Sequence, residues 1–200
     1  MQSAFIQSLY RYLGQALLAL SLLCLTGFAI AQGAVAQDAF AQNSTTRDAE
    51  THFFDANTGD LKAELGDAKA AGKKAILLMY EQEGCPGCLF MKQNILNRVD
   101  VQDLYHRHFV SFTVDINGAV PLKDFGGRDI TEKALAIRSK TRATPTFVFH
   151  DMTGTEIVRI TGTLRDAAEF KLLGEFVASG AYKLRQFAEH KQLQLKNKGG

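Results

Sequence analysis

Apolar and polar positions along the chain fall into short blocks of changing period. Residues 59–72, "GDLKAELGDAKAAG", are rich in helix formers, with Leu61 and Leu65 one turn apart and Gly72 as a stop signal. "KKAILLMY", 73–80, is a short apolar run bounded by polar residues, the pattern of a buried strand. After it, Leu89, Phe90, Ile95, Leu96 and Val99 recur at helical spacing, which predicts a helix over 86–98. A short helix is expected over 101–108. "FVSFTVDI", 109–116, alternates and is rich in β-branched and aromatic residues, hence a strand. Residues 117–129 read as a Gly-containing loop and 131–140 as a helix. Strands at 146–151 and 155–162, joined by "MTG", form a hairpin. Residues 165–178 are an amphipathic helix through Phe170, Leu173, Phe176 and Val177, and "YKLRQFAEHKQLQ" continues as a terminal helix.

The first 36 residues differ from the rest. They hold one charged side chain, Arg11, then the apolar run "ALLALSLLCLTGFAIA" at 16–31, then small residues at 29–31 and 34–36. This is the layout of a secretory signal peptide with cleavage after Ala31 or Ala36. An uncleaved segment anchoring the chain to the inner membrane is the alternative. Cys24 lies in the discarded part. Residues 37–50 are small and polar and read as a flexible lead-in, 51–190 as one domain, and 191–200 as a flexible tail.

Composition adds mainly exclusions. The net charge is +2, and loss of Arg11 with the signal segment leaves +1. That balance gives no electrostatic case for nucleic acid or an anionic membrane. The chain contains no Gly-rich phosphate loop and no repeat.

Chemistry concentrates in "YEQEGCPGCLF", 80–90. An exported chain meets oxidising conditions, yet its body keeps only Cys85 and Cys88. A bond between them would close too short a loop to staple the fold. At the start of a helix, unpaired N–H groups and the helix dipole favour a thiolate at the first position. Cys85 is therefore the expected nucleophile and Cys88 the resolving thiol, with no cofactor required. Pro86 suits the first helical turn. A metal site would need more ligands, and none of His52, His106, His108, His150 and His190 stands in a motif with the pair. No metal is expected. Phe109, Phe112, Phe147 and Phe149 read as core, His150 as structural, and Lys123, Asp124 and Arg128 as a solvated loop.

"GCPGC" after a buried strand, "ATPTFVFHDMTGTEIVRITG" at 143–162 and "FVASGAYK" at 176–183 together resemble thioredoxin-like proteins of the SoxW type. The resemblance runs from about residue 50 to about residue 188. It implies an α/β thioredoxin fold, a central mixed sheet flanked by helices, behind the N-terminal signal segment. It also implies a cis Pro145 opposite the cysteines, with the backbone of Thr144 free to pair with a substrate strand. Gly84, Pro86 and Gly87 would form the supporting loop. Cytosolic thioredoxins carry Trp where this chain has Gly84, and a buried acid where it has Met79; Glu81 and Glu83 are nearby acids.

The implied activity is that of an exported, periplasmic protein-disulfide reductant. It would act as a monomer on protein disulfide substrates, recharged by a membrane thiol-electron transporter of the CcdA or DsbD kind. A link to sulfur-compound oxidation is implied by the resemblance alone. A disulfide-forming oxidase or isomerase on the same fold, and a non-enzymatic metal-delivery or binding module, are the alternatives.

Overall fold

The computed structural model describes residues 45–198. The expected signal segment 1–36, with Cys24, and residues 37–44 of the lead-in lie outside the described residues. Among the described residues no helix is long and apolar enough to cross a membrane.

The central strand is β1 (Ala75–Glu81), whose first six residues are all buried. Apolar side chains on both of its faces require cover on both sides, and its neighbours supply it. It pairs in parallel with β2 (Phe109–Asp115) and antiparallel with β5 (Thr146–His150); β5 then pairs antiparallel with β6 (Glu156–Thr161). The four strands form a mixed sheet in the order β2–β1–β5–β6.

Alternation along β1 sends its residues to two cores. Leu77 and Met79 join Phe147 and Phe149 on one face, beneath the helices that carry Tyr105 and Phe170. Ile76, Leu78 and Tyr80 join Phe112, Val114 and Val148 on the other, beneath the helices that carry Leu61 and Leu135.

Helices start where side chains can accept the first free N–H groups. Helix α1 (Ala49–His52) is capped by Asp48 and α2 (Leu61–Ala70) by Asp60, whose carboxylate accepts from Lys62 and Ala63. Helix α3 (Pro86–Met91) runs on as a π-helical stretch, Lys92–Leu96, and α4 (Val99–His108) leads into β2. Helix α5 (Glu132–Arg138) is capped by Thr131 and α6 (Ala167–Ala178) by Asp166. Gly180, at φ 76°, ends α6 and precedes a 3₁₀ turn at Ala181–Lys183. Helix α7 spans Phe187–Lys198.

Five expectations need correction. The loop expected over 117–129 contains β3 (Pro121–Lys123), paired with β4 (Asp129–Thr131). Three-residue strands are too short for alternation to show, and the pair is held by the turn. Asp124 accepts from the N–H groups of Gly126 and Arg128 and bonds the guanidinium groups of Arg128 and Arg138. Asp124 is thus a buried anchor and not part of a solvated loop.

Part of the lead-in read as flexible is fixed. Arg47 donates its N–H to Asn97 O at 2.7 Å, Val99 donates to Thr45 O at 3.1 Å, and α1 begins at Ala49. These ties are hydrogen bonds, which leave no hydropathy pattern. The single helix expected after α6 is broken between the 3₁₀ turn and Phe187. The expected tail 191–200 carries helix as far as Lys198, with Lys191 paired to Glu169 at 2.6 Å.

Candidate active site

Strand β1 ends at Glu81, and the chain turns through Gly84, at φ 70°, into Cys85. That left-handed conformation suits glycine and disfavours a bulky residue. Cys85 caps α3, its Sγ accepting the N–H of Cys88 at 3.1 Å, and Pro86 follows in the first turn. A sulfur held at a helix start faces unpaired backbone N–H groups, which favour the thiolate when the bond is open. Here Cys85 and Cys88 are joined as a disulfide with Cα atoms 5.3 Å apart. Cys85 is 8% exposed and Cys88 3%, so the first cysteine is the more exposed residue.

The start of β5 closes the site. The Thr144–Pro145 peptide is cis. The Thr144 hydroxyl donates to Cys85 Sγ at 3.2 Å, and Pro145 O accepts the N–H of Gly162 at 2.8 Å. Gly87 is explained by close approach: a Cβ there would sit 2.9 Å from Pro145 Cδ and 3.2 Å from Thr163 Cγ2. Any side chain at 87 would push the cysteine turn away from the proline. Cys85, Cys88, Thr144, Pro145, Pro86, Gly84 and Gly87 therefore meet at one end of the sheet.

Four neighbours were missed by sequence reasoning. Thr163 packs against Gly87 from beyond β6. Leu89 and Phe90, 55% and 41% exposed, stand on the outer side of α3 beside the disulfide. Lys92, one turn after Cys88, holds Glu50 and Glu81 at 2.5 Å each, with its side chain only 15% exposed. Burial opposes its charge, but the hydrogen bonds it donates to Glu50 and Glu81 outweigh burial and leave its pKa above the ordinary lysine value. Spacing could have flagged Lys92, since residues four apart share a helix face; its carboxylate partners could not have been found that way.

Glu81 is thus ion-paired on the disulfide side of β1, while Glu83 is exposed. Met79 is fully buried. His150 is also buried, remote from this turn on β5; burial lowers its pKa to about 4, so it is neutral near pH 7. Among the described residues no group of three or more His, Cys, Asp or Glu is placed to hold a metal ion.

Residues 61–178 match the family model of the thioredoxin-like domain. No curated protein matches the chain. Among solved structures, a thioredoxin-fold protein from Helicobacter pylori is 25% identical with a TM-score of 0.52, over 63% of this chain and 82% of that one. A thioredoxin from Thermus thermophilus is 29% identical at a TM-score of 0.45, over 56% of this chain and 79% of that one. The reduced DsbD C-terminal domain of Neisseria meningitidis is 20% identical at a TM-score of 0.44, over 57% and 91%. Family fold and CxxC disulfide together support thiol–disulfide oxidoreductase activity at a general level. The chain belongs to the thioredoxin-like domain family.

Proposed function

We propose that this protein is an exported reductant of protein disulfides, SoxW-like, with Cys85 as nucleophile and Cys88 as resolving thiol. The observation that carries the reading is the Cys85–Cys88 disulfide at the start of α3, with Thr144 donating to the outer sulfur.

In the reduced protein, the Cys85 thiolate attacks one sulfur of a substrate disulfide. A Cys85–substrate disulfide forms, and the other substrate sulfur leaves as a thiolate and takes up a proton. Deprotonated Cys88 then attacks Cys85 Sγ, and the second substrate sulfur leaves. Two electrons pass to the substrate, and Cys85–Cys88 is oxidised. An external dithiol restores it by the reverse exchange; the proposed donor is a membrane thiol-electron transporter of the CcdA or DsbD kind. Thr144 and Pro145 supply the backbone on which a substrate strand rests.

Signal removal after Ala31 or Ala36, a monomeric state and a periplasmic location complete the proposal, together with a place in sulfur-compound oxidation. Position 87 is Gly, where DsbA-type oxidases usually carry a histidine before the second cysteine, and this supports the reductant reading over the oxidase. The test is reduction of insulin with a dithiol donor. Turnover is expected in the native chain and absent in Cys85→Ala; activity surviving that substitution would refute the assignment.

A further inference from the structure

Strand β6 is an edge of the sheet, paired on one side with β5. Its open side can be phased. Gly162 donates its N–H to Pro145 O, so Gly162 points its hydrogen-bonding groups towards β5. Paired residues alternate along an antiparallel ladder. Ile160 and Val158 share that phase, and Arg159 and Thr161 turn their N–H and C=O groups to the open edge. No other described segment hydrogen-bonds to them.

A groove of about 490 Å³ runs along this edge, with Tyr182, Phe187 and Lys191 on its far wall. Its charged walls are unequal. Lys191 is committed to Glu169, and Arg159 to Glu156 and Ser139. Arg185 is half-buried as a residue, and its guanidinium makes no hydrogen bond or ion pair among the described residues. At the other end the groove reaches Thr163, which packs against Gly87 and so abuts the cysteine turn.

We propose that this groove holds an extended segment of the disulfide-bearing protein substrate, laid along the β6 edge and carrying an acidic side chain that pairs with Arg185. The inference rests on the reductant reading above. Three features select this occupant. The outward groups of Arg159 and Thr161 match an added strand, the lone cation calls for an anion, and the groove ends at Thr163, against Gly87 of the cysteine turn. From Ile157 to Thr163 the edge spans roughly 20 Å at about 3.3 Å per step, the length of a seven-residue segment.

The test uses the pre-reduced protein and three disulfide probes. Two are synthetic peptides whose single cysteine is linked to thionitrobenzoate, flanked by valine–glutamate repeats in one and valine–lysine repeats in the other. The third is Ellman's reagent, too small to fill the groove. The native protein should react with the glutamate peptide about tenfold faster in kcat/KM than with the lysine peptide, the usual scale of one well-placed charge pair. Arg185→Glu should reverse that preference.

Thr161→Pro removes one outward N–H, a substitution that an edge strand tolerates; it should slow both peptides about fivefold, the scale of one lost hydrogen bond. Ellman's reagent should react equally with all three proteins. A preference that survives Arg185→Glu would overturn the groove, as would an equal loss with Ellman's reagent in the variants. A native protein inert to all three probes would instead overturn the reductant reading, and this inference with it. Should Thr161→Pro fail to fold, Arg185→Glu decides alone.

Discussion

On the face of the sheet that carries the disulfide, Met79, Phe147 and Phe149 meet Tyr105 and Phe170, and the two rings of that last pair stack 4.4 Å apart at an interplanar angle of 4°. On the opposite face, Tyr80 and His150 are buried beside the Asp124–Arg138 and Glu156–Arg159 ion pairs. The first face is packed with aromatic and aliphatic groups, and its ion pairs, Lys92 with Glu50 and Glu81 and Lys191 with Glu169, involve the helices that cover it. The second face takes polar groups into its interior.

The contrast shows where each face can tolerate charge. A thiolate at Cys88 would form within the apolar cluster, whereas Cys85 has the helix start and the Thr144 hydroxyl. Exchange is therefore expected to begin at Cys85.

The largest effect that would break this comparison is on activity. Cys85→Ser should lower insulin reduction by at least about a thousandfold, because the serine hydroxyl stays protonated near neutral pH. Cys88→Ser should instead accumulate a mixed disulfide with substrate, visible by mass spectrometry. Trapping in Cys85→Ser in place of Cys88→Ser would reverse the two roles.

The next effect belongs to the polar face. His150 titrates at its ordinary 6.5 when unfolded but at about 4 when folded, because burial disfavours its charge. Between those values the unfolded chain binds the extra proton, so stability falls as pH drops from 6.5 to 4 and this contribution is constant below. The loss is about 3 kcal/mol at full extent. Glu156 and Asp151 favour the charged ring and Arg159 opposes it. Urea melts at several pH values should show a shallower slope in that window for His150→Phe than for the native chain. Parallel slopes would mean that His150 reaches solvent.

Close packing on the disulfide face predicts a third effect. Gly174 lets α6 approach α4: a Cβ there would lie 2.9 Å from Leu104 Cδ2 and 3.0 Å from Tyr105 Cε2. Gly174→Ala should cost about 1–3 kcal/mol in thermal or urea unfolding despite the better helix propensity of alanine. A gain in stability would show that the two helices can separate cheaply. The smallest effect is that of Tyr105→Phe, which deletes the 2.8 Å hydrogen bond to Phe170 O and keeps the ring. About 1 kcal/mol should be lost.

What the sequence made legible follows the same division. The run "AILLMY" read as a buried strand, and the cysteine turn after it was marked by residue type and spacing. Features held by polar bonds were not legible. The β3–β4 pair depends on Asp124 meeting Arg138 from α5, and residues 45–50 depend on backbone bonds to Asn97 and Val99. Neither leaves an apolar period. At the site, Cys85, Cys88 and Pro145 carry their own signals, whereas Lys92 and Thr163 gain their places only when helix and strand ends come together.

The most direct test of the account is the equilibrium reduction potential of the Cys85–Cys88 couple, titrated against glutathione in protein beginning at residue 37. A reductant should lie near the thioredoxin end of the fold's range, about −270 mV. A value near the DsbA end, about −120 mV, would mean that the couple gives its disulfide away, and would contradict the proposed direction of electron flow.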